Sequence, residues 1–261
     1  MRFVAVLLVC AGIAPVQAPA QDAPWAGADV LVLGEVHDNP AHHLYQAKII
    51  ATVRPTGLVF EMLTVNQILR LREWDGGDVS ELGEVLRWEA AGWPDFAIYA
   101  PVFAASPGSL VLGAAISQDR MQTAIDAGAA VAFGPDAVEF GLTPLTPTDQ
   151  QAREAEQAAA HCGALPPDLL PGMVEVQRVR DASFAWAVID AFDRLGGPVI
   201  LITGTGHART DIGVPAAIRA ARPELRVWSL GQLESPDPDA PFDAVNVTDP
   251  VDRPDPCLAF E

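Results

Sequence analysis

Five short apolar runs constrain this chain more than any other feature: ADVLVL at residues 28–33, GLVFEM at 57–62, SLVLGAAI at 109–116, PVILIT at 198–203 and LRVWSL at 225–230. Each is continuous rather than alternating, as in strands covered on both faces. Helical signals fill the gaps between them. Asn39-Pro40 is a cap followed by a first-turn proline, and Thr146-Pro147-Thr148-Asp149 repeats that grammar. NQILRLREW and SELGEVLRW flank Asp75-Gly76-Gly77, and residues 95–105 read as a helix that Pro101 should start or kink. SQDRMQTAIDAGAA and VPAAIRAA are helical, and residues 172–195 carry the longest helical pattern. Strands alternating with helices give an α/β fold: a mainly parallel central sheet with helices on both faces and a smaller helical cap. The cap is expected from residues 64–107 and 140–175, within a domain spanning 21–233. LRVWSL is read as the last strand, and residues 234–261 as an acidic, proline-rich tail.

The first twenty residues read differently from the rest. Met1-Arg2, an apolar stretch from Phe3 and Ala18-Pro19-Ala20 form a secretory signal, shorter than the ~20 apolar residues a membrane span needs. Export to the periplasm is therefore expected. Cys10 offers a lipid-anchored alternative, which Val9 and the short lead before it weaken. Acids outnumber Lys and Arg by 34 to 16, a net charge of −18. Loss of residues 1–20 removes Arg2 and no acid, so the balance becomes one unit more negative. Such a field excludes nucleic acid as a general partner. Cys162 and Cys257 remain as an even pair in an oxidising compartment, where a disulfide is expected.

In a parallel sheet, ligands gather where strands end. Gly34-Glu35-Val36-His37 follows the first apolar run, Glu61 closes the second, and Gly204-Thr205-Gly206-His207 follows the fourth. Two G-x-x-H turns in equivalent places, with an acid between them, are the most specific pattern here. Glu61 is expected to hold a histidine or Arg209. His42 and His43 lie about 100° apart on a helix, so one of them is expected to be a solvated surface residue, while His43 shares a face with Gln46. His161 reads as a helix-end residue.

The blocks LGEVHDNPAHHLYQ, VFEM, GWPDFAIYAPVFAA, VQRVRDASFAWAV and GTGHARTDIGVP, in that order over residues 28–218, resemble the ChaN-type haem-binding lipoproteins of the Tiki superfamily. The resemblance implies an envelope protein of haem and iron uptake, with haem held between two subunits and its iron on a tyrosine. An outer-membrane haem or iron receptor is the expected partner. Tyr45 and Tyr99 are the two tyrosines, and Tyr99 matches the family's Tyr-x-Pro segment. The expected haem-binding set is His37, His43, Tyr99, His207 and Arg209. Trp88, Trp93, Phe96 and Phe103 are candidates for apolar walls, and Arg209, Arg120 or Arg178 for propionate partners. The wider superfamily offers an alternative: a hydrolase using Glu35, His37, Glu61 and His207, with a divalent metal on His37, His207 and Glu61 or with a histidine base alone.

Overall fold

A computed structural model describes residues 23–255, 257 and 258; the signal segment, with Cys10, lies outside the described residues. The elements follow in order as β1 (Val30–Glu35), α1 (Pro40–Val53), β2 (Gly57–Phe60), α2 (Val65–Glu73), α3 (Leu82–Val85), α4 (Phe96–Ala104), β3 (Leu110–Gly113), α5 (Gln118–Ala127), α6 (Ala129–Phe133), α7 (Pro147–Ala160), α8 (Leu170–Leu195), β4 (Val199–Gly204), α9 (Val214–Ala221), β5 (Val227–Leu233) and β6 (Ala244–Val247). The six strands form one sheet in the order β3-β2-β4-β1-β5-β6, and every pairing is parallel. The α/β class and the parallel sheet are as expected.

Strand alternation divides the interior into two cores. Val30, Val32, Val59, Val199 and Leu201 point to one side, where α8, α5, α6 and α9 cover them. Leu31, Leu33, Leu58, Phe60, Ile200 and Ile202 point to the other, under α1 and the 64–107 segment. Burying one such side chain contributes roughly 1.5–3 kcal/mol. Segment 64–107 shares this second core rather than standing apart from the sheet. Segment 140–175 lies on the opposite side, where α7 packs against α8.

Local signals place most boundaries. Asn39 accepts from Ala41 N and Thr146 from Asp149 N, each ahead of a first-turn proline. Two expectations shift. The helix read through SQDRMQTAIDAGAA is broken into α5 and α6 at Gly128, whose φ of +91° leaves the helical region. LRVWSL is not the last strand, because β6 follows it within 234–261 and pairs with β5. Gly231 permits this: a Cβ there would lie 2.3 Å from the Phe242 ring. Among the described residues no helix is long and apolar enough to cross a membrane.

Candidate functional site at the carboxyl edge of the sheet

Glu35 and Glu61 end neighbouring runs on either side of β4, and the pleat sends them to opposite faces. Glu35 keeps the parity of Leu31 and Leu33, so it enters the α1–α4 side. Glu61 keeps the parity of Val59 and enters the α8 side. Both are almost wholly buried, so each must be paired.

On the α1–α4 side, Glu35 collects four partners. Tyr99 donates its hydroxyl to Oε1 at 2.6 Å, Gln46 donates to Oε2 at 2.8 Å, and His37 Nδ1 lies 2.9 Å from Oε1. His43 Nδ1 stands 3.4 Å from Oε2. Burial would raise the Glu35 pKa, but the hydrogen bonds and charges of His37 and His43 hold it at about 2. His43 faces acceptors at both ring nitrogens, Gln46 Oε1 and Glu35 on one side and the His37 carbonyl on the other. Burial lowers its pKa, but Glu35 raises it more, so the imidazolium is favoured. Tyr99 is fully buried, and its ring centroid lies 4.0 Å from that of His43. Burial and the Glu35 charge push its ionisation well above the ordinary tyrosine range. Its proton is therefore committed, and a phenolate is strongly disfavoured.

His37 is the exception in this group. Glu35 fixes Nδ1, while Nε2 has no hydrogen-bond partner among the described residues and the side chain is 33% exposed. Nε2 sits over Gly204, where a Cβ would come within 3.0 Å of it. The Trp93 ring flanks the imidazole edge-on at 5.0 Å. Burial lowers the His37 pKa, but Glu35 and then Glu61 raise it further.

On the α8 side, Glu61 Oε2 accepts from Thr203 Oγ1 at 2.6 Å and Gly204 N at 2.7 Å, and Oε1 pairs with Arg180. Burial raises its pKa, but the charges of His207 and Arg180 lower it more. His207 follows β4 on the 3-10 turn Thr205–Ala208. Its Nδ1 lies 2.6 Å from Asp181 Oδ1 and 3.1 Å from Gln177 Nε2, and its Nε2 lies 3.8 Å from Glu61 Oε1. Phe184 packs edge-on against it. His207 is thus enclosed, whereas His37 is open on one side.

The four predicted positions 35, 37, 61 and 207 reach one edge of the sheet, and several companions do not behave as expected. Arg209 does not serve Glu61. It is bound at the surface by Glu156 and Asp211, and Arg180 takes its place. His42 and His43 are both fully buried, His42 under the C-terminal segment and His43 against Tyr99 and Gln46. His42 Nδ1 accepts from Val36 N and Nε2 meets Thr248 Oγ1. Burial lowers its pKa to about 4, so it is neutral. Trp88, Phe96 and Phe103 are core, with Trp88 donating to the Pro94 carbonyl and Phe103 stacked on Phe60. Arg178 is tied to Glu175 and the Thr143 carbonyl. Tyr45 is half-buried against the α1–α4 core, and His161 Nδ1 meets its own helix at Gln157 O.

Sequence reasoning missed Gln177, Arg180 and Asp181. With Phe184 they recur at helical spacing and form one face of α8, a signal that was legible once the helix was placed. It also missed the strap formed by the C-terminal segment. Arg253 binds Asp38 and Glu234, and Asn39 donates to Glu234, Thr248 and the Asp249 carbonyl, so the loop bearing His37 is clamped from outside. Cys162 and Cys257 form the expected disulfide, closing this segment onto the end of α7.

A shared divalent ion on His37, His207 and Glu61 is not supported. Among the described residues no group of three or more His, Cys, Asp or Glu could hold a metal. The reason lies in the bonding: protein donors consume the Glu61 oxygens, and Asp181 and Gln177 engage His207. The metal-dependent form of the hydrolase alternative is disfavoured for the same reason.

The sequence pattern of the family described as "Haem-binding uptake, Tiki superfamily, ChaN" matches residues 23–218. The chain belongs to the ChaN haem-binding family. Among solved structures, that of "Cofacial heme binding to ChaN of Campylobacter jejuni" is similar, with 21% identity, a TM-score of 0.61, and coverage of 84% of this chain and 86% of that one. At that identity the likeness shows the fold. The type III effector HopBA1 is more distant, at 14% identity and a TM-score of 0.44 over 85% of this chain and 88% of its own. A succinoglycan biosynthesis protein is at 13% and 0.40, over 80% of this chain and 67% of its own. No curated protein matches the chain significantly.

Proposed function

We propose that this protein binds ferric haem at the carboxyl edge of its sheet, with His37 Nε2 as the axial donor, and serves haem uptake in the cell envelope. Membership of the ChaN family supports haem as the ligand. The observation that carries the choice of donor is the open Nε2 of His37. It is the ring nitrogen in the Glu35 and Glu61 clusters that is held in place from behind yet lacks a partner in front. A carboxylate behind an imidazole fixes its tautomer and raises its basicity as a ligand.

The surroundings fit a flat, apolar, anionic group. Trp93 supplies an aromatic edge, and the missing Cβ of Gly204 lets the imidazole lie against the end of β4. Arg180, 28% exposed and close enough to His37 to oppose its protonation, is the cation at this edge for a haem carboxylate. It replaces Arg209, Arg120 and Arg178 in that role. Bound haem would supply the iron that takes up the base; the chain's part is to present His37 there and to fix its ring through Glu35.

On this reading the segment 1–20 directs export to the periplasm, and the Cys162–Cys257 disulfide suits an oxidising compartment. On the same reading two copies meet over the haem, and an outer-membrane haem receptor exchanges cargo with the pair. Titration of purified protein with hemin tests the reading. A saturable Soret band is expected, and Tyr99→Phe should retain it, because that hydroxyl serves Glu35. A flat titration, or a band lost with Tyr99→Phe in a protein that still melts cooperatively, would overturn it.

A further inference from the structure

A cavity lies at the same end of the sheet, beyond β3, and His37 is not among its lining residues. It encloses about 560 Å³ between the exit of β3, the start of α2 and the outer face of α8, within the ~300–1,000 Å³ typical of small-molecule sites. Its walls are mainly apolar: Val65, Ile116, Phe133 and Trp186. Trp186 is 50% exposed and Val65 70% exposed, a large apolar area to leave in water on an acidic protein.

Two polar features converge on it. Ser183 is 6% exposed and lines the cavity, and its Oγ is the one buried side-chain polar atom among the described residues with no hydrogen-bond partner. A buried hydroxyl left unmatched is costly and marks a place where a partner belongs. At the open side stands Arg120, whose guanidinium makes no ion pair among the described residues. The cavity therefore has a hydrogen-bonding floor, an aromatic middle and a cationic mouth.

We infer that this cavity binds an aromatic monocarboxylate, ring inward, with the carboxylate on Arg120 and a ring hydroxyl or carbonyl on Ser183. Asp136 also lines the mouth and opposes a second negative charge on the ligand. Phosphates and dicarboxylates are disfavoured here on that account. Trp186 and Phe133 supply faces for a flat ring, since aromatic pairs add stabilisation beyond area alone.

Calorimetric titration of the full chain with 6-hydroxy-2-naphthoate tests this assignment. One site of micromolar affinity is expected. Arg120→Ala should weaken it at least ~10-fold by removing a charge-assisted bond, and Trp186→Ala, at an exposed position, should weaken it several-fold. Ser183→Ala should weaken binding without lowering Tm, since it removes an unsatisfied group. His37→Ala should leave naphthoate binding unchanged. Absence of binding, or affinity indifferent to Arg120→Ala and Trp186→Ala, would overturn the assignment. So would hemin competing for this site and losing its Soret band with Arg120→Ala, which would make the cavity the haem slot. A flat hemin titration with naphthoate binding intact would instead remove the haem reading and leave this one standing.

Discussion

The Glu35 and Glu61 sides of the sheet begin from the same grammar and end in different states. Each places a buried acid and a histidine from a G-x-x-H turn at the carboxyl edge. On the Glu61 side both oxygens of the acid and Nδ1 of His207 are engaged, with Arg180, Thr203 and Gly204 on the acid and Asp181 and Gln177 on His207. On the Glu35 side Tyr99, Gln46 and His43 are likewise spent on the acid, but His37 keeps one nitrogen free. A repeated motif here marks a shared edge, not a shared role. The face of the sheet that each acid enters decides which histidine is left open.

The sharpest break of this comparison is removal of the acid on the open side. Glu35→Ala leaves a buried imidazolium without its counter-charge, and Tyr99 and Gln46 with only the His37 and Leu33 carbonyls to donate to, and should cost about 3–5 kcal/mol. Equilibrium urea unfolding should show this as a lower midpoint at unchanged slope; a loss below ~1 kcal/mol would mean that His43 is not held as a cation. Next in size is the strap. Cys257→Ser opens a loop between cysteines 95 residues apart and should cost about 2–4 kcal/mol. Hydrogen exchange should then rise in residues 36–39 as well as in the C-terminal segment, and protection unchanged at 36–39 would show that the strap does not hold the His37 loop.

Acid titration separates the two kinds of group. The Glu35 pKa is depressed to about 2, so its contribution to stability is complete above the ordinary glutamate range and is lost as pH falls from there toward 2. The His43 pKa is raised, so its contribution is complete below the ordinary histidine value and fades as pH rises through the higher folded value. Hemin affinity should move the other way from a stabilising cation. Because the His37 proton must leave before Nε2 can serve as donor, affinity should fall on acidification, with a midpoint above the usual histidine value. Absorbance titration at several pH values checks the sign; affinity that rises on acidification would contradict it. Smallest is Tyr99→Phe, which removes one hydrogen bond to a charge and should cost about 1.5–3 kcal/mol while leaving the Soret band in place.

Much of this arrangement was legible in the sequence. Continuous apolar runs specify parallel strands, and five of the six were readable that way, although β3 lies at the sheet's edge and is only partly buried rather than covered on both faces. β6 was hidden because AVNV is short, half exposed and set among Pro and Asp; it forms through contacts such as Asp243 with Ser229 N and Phe242 over Gly231, which no local pattern announces. Glu35, His37, Glu61 and His207 could be found because strand ends locate them. Their partners could not, since Asp181 and Arg180 sit on a helix whose spacing shows a shared face but not which edge that face meets. Arg253 acts on Asp38 across 215 positions, beyond the reach of any periodicity. Tyr99 was matched by its segment to an iron ligand, and only the packing shows its hydroxyl turned toward Glu35.

Hemin titration of His37→Ala beside His207→Asn addresses the inequality of the two turns most directly. The first variant should lose at least ~10-fold in affinity and alter the Soret band, while the second, if folded, should bind as the parent does. A band that survives His37→Ala and disappears with His207→Asn would contradict His37 as the axial donor.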